Sequence, residues 1–218
     1  MSADVRDGAA AFVDKWRARW PEWAIAEVFA PAAQRDLAAA WFALLQEFAD
    51  AAWGGSDPAP GLAKLAWWQE ELRGWVKRAH RHPLGSVLRP RPAPWDALAD
   101  AMPALRYREL PRDPAAALAV LEPLGEGCAG IEAVLFDAPS SATGAVMAML
   151  GGAAVDAGGA RSAAALRAVW PGGRVTAIPP RLRDQIVRRR LEAAATGAAW
   201  QPATRLGTLW GSWRAARN

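Results

Sequence analysis

The stretch Leu62–Leu88, LAKLAWWQEELRGWVKRAHRHPLGSVL, decides the fold. Leu62, Leu65, Trp68, Leu72, Trp75 or Val76 and Ala79 recur at three- and four-residue steps, while Lys64, Glu70, Glu71, Arg73, Lys77 and Arg78 fall mostly elsewhere. That spacing predicts an amphipathic helix, broken at His82-Pro83. Trp67 sits off the stripe, so the helix offers aromatic surface in two directions and needs a second partner or a cavity beside it.

The helix before it is predicted over Ala32–Trp53. Pro31 stands where a first helical turn tolerates proline, Gly54-Gly55 ends the run, and Leu37, Trp41, Leu44, Leu45, Phe48 and Ala52 form its apolar stripe. Between the two helices, Gly54 to Gly61 reads as a turn, with Asp57 as N-cap and Pro58 at the next helix's first position. A two-helix hairpin follows, and it sets Glu47 and Asp50 against the tryptophan-rich helix.

The rest of the chain points the same way. At 218 residues, 52% apolar and 22% charged, it can bury one sizeable core, and Ala, Leu, Trp and Arg outweigh the strand formers. One all-α domain over residues 1–218 is expected, a single helical bundle. Cys128 alone, with two histidines, excludes a disulfide framework and an ordinary structural zinc site. His80 and His82 have no third ligand near them. Charges at Asp4, Arg6, Asp7, Asp14 and Lys15 leave no apolar leader. A cytoplasmic protein is expected, with membrane association as the alternative.

Two motif blocks resemble the squalene/phytoene synthase family, head-to-head prenyl transferases with the all-α isoprenoid synthase fold. Trp67-Trp68, Leu72 and His82-Pro83 resemble its "QWWR-x-x-L … HP" signature. FAPAAQRDLAAAWFALLQEFADAAW resembles "F-x-P-x-x-x-R-x-x-x-x-x-L-Y-A-F-x-R-E-x-D-D-x-x-D", with Phe29, Pro31 and Arg35 on their counterparts and Phe42-Ala43-Leu44 replacing Tyr-Ala-Phe. The resemblance covers roughly residues 28 to 90 and implies a truncated form of that fold, because the chain is short for such an enzyme.

The same resemblance implies where the chemistry should lie and where it fails. The family's arginine falls on Gln46, its glutamate on Glu47, the first motif aspartate on Ala49, the second on Asp50 and the last on Trp53. Departure of a diphosphate needs Mg²⁺ ions bridging carboxylates and phosphate oxygens, and carboxylates at i and i+3 project on one helix face. Glu47 and Asp50 are such a pair, the remnant of the first metal-binding motif; a solvated face or a salt bridge is the simpler reading of it. The second acidic motif has no counterpart in RSAAALRAVWPG, although Asp156 lies upstream and Gly173-Arg174 resembles the family's Gly-Arg stretch. Arg35 and Arg174 are the candidate diphosphate ligands, and Phe42, Gln46, Trp67 and Trp68 the candidate pocket.

Elsewhere, Trp16, Trp20 and Trp23 mark a short amphipathic arm, and Arg89 to Pro94, RPRPAP, a stiff extended joint. Pro94 starts a short helix, Asp113-Pro114 a longer one that Gly125 and Gly127 break, and Ser140 or Ser141 a small-residue helix expected to be buried. Arg181–Thr196 is a basic helix, read as a solvated face; Leu206, Leu209, Trp210 and Trp213 form a stripe expected to close the bundle rather than lie on a membrane.

The resemblance and its missing carboxylates together favour a catalytically degenerate protein holding an isoprenoid or other lipid-like molecule. A working prenyl transferase and a non-catalytic assembly scaffold with a protein partner are the alternatives. No cofactor is expected, Mg²⁺ entering only with the enzyme reading. No nucleic acid is expected, and peripheral membrane contact is an option.

Overall fold

Helical spacing of apolar residues through Ala32–Trp53 makes that segment the centre of the protein in a computed structural model, which describes residues 3–107, 114–170, 177–197 and 205–217. Before it come α1 (Ala3–Arg19) and the single turn α2 (Trp23–Ala26); α3 is Ala32–Trp53 itself. After it come α4 (Pro58–Val76), α5 (Gly85–Leu88), α6 (Trp95–Ala101), α7 (Pro114–Val120), α8 (Glu122–Phe136), α9 (Ala142–Asp156), α10 (Ala160–Ala168), α11 (Ile178–Ala195) and α12 (Arg205–Arg217). Glu27–Phe29 and Met102–Arg106 are 3₁₀ turns, and no strand occurs among the described residues. The fold is all-α.

From Leu37 to Phe48 only Gln46 escapes full burial, so α3 is enclosed rather than amphipathic. Its alanines make this feasible: short side chains let α1, α4, α8, α9 and α11 all reach it. One contiguous cluster of buried side chains runs from Trp16 to Leu191.

The ends of α4 are set locally. Asp57 accepts the Ala59 N–H at 2.9 Å and Pro58 opens the helix. At the other end Arg78 takes a left-handed conformation (φ 60°) and the Ala79 N–H reaches back to the Gly74 carbonyl at 2.9 Å. Glu71 falls off the apolar stripe in sequence, yet it is buried. Its carboxylate accepts the Trp75 indole N–H at 2.9 Å and the backbone N–H groups of Arg81 and His82 at 2.7 and 2.9 Å, with Arg81 Nε at 3.1 Å. Burial alone would raise the Glu71 pKa; these donors outweigh it and leave the carboxyl below its ordinary value.

Gly125 and Gly127 do not break a helix. They lie inside α8, where a Cβ on Gly125 would stand 2.1 Å from the Ala142 carbonyl oxygen and one on Gly127 3.2 Å from Leu98 Cα. Close approach of neighbouring backbone, not chain reversal, explains them. In α9 the small residues let neighbours approach closely: Gly151 faces Val187 and Leu191 of α11, and Gly152 faces Trp20. The joint at 89–94 is tightly turned rather than extended, with Arg91 N–H bonded to Leu88 O at 3.1 Å and Ala93 N–H to Arg91 O at 2.8 Å. It leads into α6, which packs on α4.

Two further expectations are corrected. The basic helix α11 is not simply a solvated face, because Arg183 and Arg190 are buried in ion pairs. The aromatic stripe of α12 does not close the bundle: Thr208, Gly211 and Ser212 face inward, while Leu206, Leu209, Trp210 and Trp213 face out. No helix of the described residues is long and apolar enough to cross a membrane.

Candidate functional site

Trp16, Trp20 and Trp23, spaced four and three residues apart, all reach α3, Trp16 and Trp23 through the Phe42 ring and Trp20 through Gln46. Trp16 lies 5.6 Å from Trp23 between ring centroids, and Trp23 lies 5.2 Å from Phe42 at nearly a right angle. Between these rings, Ala49 of α3, Met149 and Gly152 of α9, and Arg183 and Val187 of α11 lies a narrow cleft, half open to solvent. Its walls are mostly apolar. The buried Trp23 indole N–H has no hydrogen-bond partner among the described residues.

A second, more polar opening adjoins it, sharing Gln46 and Ala49 and adding Arg19, Asp50 and Asp156. Here a chain of hydrogen bonds crosses three helices. The Trp20 indole donates to Gln46 Oε1 at 3.1 Å, Gln46 Nε2 donates to Asp50 Oδ1 at 2.9 Å, and Arg19 donates to Asp50 at 3.0 Å and to Asp156. Burial lowers the Arg19 pKa, but the two carboxylates more than reverse that, so its charge is secure.

Glu47, one turn earlier, is buried and clasped by two ammonium groups, Lys15 at 3.0 Å and Lys64 at 2.6 Å. Burial raises its pKa, and the hydrogen bonds of Lys64 and Lys15 outweigh this to hold it below the ordinary carboxylate value. The carboxylates of this region thus already face cations of the chain itself. A resident Mg²⁺ demands several free oxygen ligands, and these residues do not fit it: each acid would first have to lose a lysine or arginine. Among the described residues no group of three or more His, Cys, Asp or Glu side chains is placed to hold a metal ion.

At the cleft's inner end, Arg183 lies 5.0 Å over the Phe42 ring and donates to Glu132 at 2.6 Å and to Asp184 at 3.0 Å. Glu132 also accepts the Trp41 indole N–H at 3.0 Å and the Ser140 hydroxyl. Burial lowers the Arg183 pKa and the two acids overcome this; burial raises that of Asp184. This buried triad ties α8, α11 and α3 together.

The residues singled out from sequence fall in different places. Phe42 and Gln46 line the cleft, and Asp50 stands at its mouth. Trp67 and Trp68 are not among its lining: Trp68 is fully buried between Phe48 and His82, at 5.4 and 4.5 Å, and Trp67 turns outward beneath the Arg81 guanidinium. The aromatic wall comes instead from α1 and α2, because the cleft opens on another face of α3 than the one α4 covers. Arg35 donates to the carbonyl oxygens of Ala30 and Val28, both at 3.0 Å, and so fastens the turn before α3. Arg174 lies outside the described residues.

Lys15, Arg19 and Arg183 complete the site, and no sequence pattern singles them out, since Lys15 meets Glu47, Arg19 meets Asp50 and Asp156, and Arg183 meets Glu132 across long sequence separations. Only the three- and four-residue spacing of the amino-terminal tryptophans hinted at the wall. Compared with known proteins, the chain matches no family model, no curated protein and no solved structure.

Proposed function

We propose that this is a squalene/phytoene synthase-like protein without the metal chemistry, which holds an isoprenoid or similar apolar chain in the cleft between α1, α3, α9 and α11. The observation that carries this is the neutralised mouth: Asp50 and Asp156 share Arg19, and Glu47 is held by Lys15 and Lys64. On the resemblance, Ala49 stands in place of the first motif aspartate, and its methyl lines both the apolar cleft and the polar mouth. Removing a hydrated metal site loses several kcal/mol of charge stabilisation for a departing diphosphate, which a paired arginine does not restore. What is left favours binding over turnover. An apolar tail would displace weakly held water from the tryptophan walls, and a terminal oxygen could accept the free Trp23 N–H.

Calorimetry with farnesol and farnesyl diphosphate, each with Mg²⁺ and with a chelator, tests the proposal. Both ligands should bind the protein with similar affinity whether or not Mg²⁺ is present, and Ala49→Phe, which fills the neck of the cleft, should abolish binding. Mg²⁺-dependent binding that Asp50→Ala removes would establish the transferase reading instead. Absence of binding by either ligand would also sink the proposal.

A further inference from the structure

The helix α12 is built with its bulk on the wrong side for a bundle helix. Thr208, Gly211 and Ser212 face the protein, and α12 packs through them on α11, α2 and the Glu27–Phe29 turn. The large side chains face solvent: Leu206 is 80% exposed, Trp210 59%, Leu209 47% and Trp213 37%. At 3.6 residues per turn these four fall within an arc of roughly 100°, with Arg205 on one side of it and Arg214 on the other.

The exposed arc is ordered by its own contacts. Trp210 and Trp213 stack at 4.9 Å between centroids, 25° from parallel, and the Arg217 guanidinium lies 4.8 Å over Trp213. The helix is also held to the body by charge on its inner side, where Arg189 donates to the Gly207 carbonyl at 2.5 Å and Arg181 to that of Ala216 at 3.1 Å. The surface is therefore presented rigidly.

Its charge selects the partner. The sequence Arg205–Arg217 contains three arginines and no acid. The nearest turn, Glu27–Phe29, leaves Val28 exposed, and its one acid, Glu27, is already matched by Arg17 at 2.9 Å. A stacked indole pair with leucines between arginines suits the boundary of an anionic bilayer, where the rings lie at headgroup depth and the guanidinium groups meet phosphates. We infer that α12 is an interfacial helix that docks the protein on an anionic membrane surface, with Leu206, Leu209, Trp210 and Trp213 inserted and Arg205, Arg214 and Arg217 at the headgroups.

Flotation of the whole protein with vesicles tests this, and it is independent of what occupies the cleft. Vesicles of phosphatidylcholine with phosphatidylglycerol should carry the protein, and phosphatidylcholine alone should carry at least about tenfold less, with binding weakened by added salt. The double substitution Trp210→Ser, Trp213→Ser should reduce binding to anionic vesicles about tenfold or more while leaving the helix content and Tm nearly unchanged, because both side chains lie on the exposed side of α12 and outside the buried core. Arg214→Ser with Arg217→Ser should remove most of the preference for the anionic lipid. Equal flotation of the tryptophan variant, or no flotation of the parent protein, would overturn the inference. So would a concentration-dependent dimer that the tryptophan substitutions dissolve, since the arc would then be a contact between two copies.

Discussion

Arg19 on α1 donates to Asp50 on α3 at 3.0 Å and spans the gap to Asp156 on α9 with its other nitrogen. A guanidinium thus occupies the space between two carboxylates on facing helices. The three side chains are a quarter or more exposed, so this link contributes little to stability and much to the charge of the cleft mouth.

Arg19→Ala should accordingly cost less than about 1 kcal/mol in urea unfolding. It should also take the arginine from between Asp50 and Asp156, leaving Asp50 with Lys15 at 4.0 Å, so that Mg²⁺ binding, which calorimetry should not detect in the parent protein, becomes measurable in the variant. A variant that unfolds near room temperature, or that gains no affinity for Mg²⁺, would contradict this account of the mouth.

Arg190 and Glu22 should behave in the opposite way. They meet through two hydrogen bonds, at 2.9 and 2.7 Å, with both side chains almost wholly buried, and Arg190 also lies 3.9 Å over the Trp20 ring. Glu22→Ala removes both of these hydrogen bonds from a buried guanidinium and should cost about 3–5 kcal/mol. Combining it with Arg190→Met should recover part of that loss, a non-additivity that a double-mutant cycle of denaturation measurements would detect.

Gly125→Ala should destabilise by about 1–3 kcal/mol, because the new methyl would meet the Ala142 carbonyl at 2.1 Å and α8 and α9 would have to separate. Gly130→Ala on the same helix meets only Pro94 Cγ, at 3.2 Å, and gains helix propensity. Thermal unfolding should therefore rank Gly125→Ala well below Gly130→Ala.

His82 gives the fold a pH dependence. Burial pushes its pKa down to about 4, against the opposing pull of Glu47 and Glu71 and with Lys64 adding to the fall. Its Nδ1 accepts the Leu84 N–H at 3.2 Å, and its ring packs on Phe12 and Trp68. The unfolded chain binds a proton near pH 6.5 that the folded chain refuses until about pH 4, so stability should fall as pH drops through that window. Glu47 and Glu71, held below their ordinary value, add stability above about pH 4.5 that disappears only at lower pH. His82→Asn, which keeps an acceptor for Leu84, should flatten the Tm profile between pH 6.5 and 4.5 and leave the steeper loss below it.

Cys128 is fully buried, and burial, helped by Glu132, raises its thiol pKa far above neutral despite Arg183. Maleimide labelling of the native protein should be slow and should become fast on unfolding.

Some features were legible because their causes are local. Pro31 and Gly54 bound α3 where the chain itself marks an entry and a stop, and Asp57 caps α4 through a neighbour two residues away. The periodicity of Leu65, Trp68 and Leu72 named their burial without a partner in view. The site was less legible. Phe42, Gln46 and Asp50 could be marked on α3, but the tryptophan wall, the Arg19 bridge and the burial of Glu71 depend on which helix lies alongside.

Composition, apolar spacing and capping residues alone therefore determined an all-α protein and the ends of its central helices, since hydrogen bonds within a helix and its caps span only a few residues. Tertiary structure decided which face of a helix is inside and which charges meet. Gly125 and Gly127 serve a helix crossing rather than a turn, and Arg190 reaches Glu22 across the fold. The small side of α12, not its tryptophans, faces the core. Each depends on the distance between two backbones remote in sequence, which spacing along one helix does not contain.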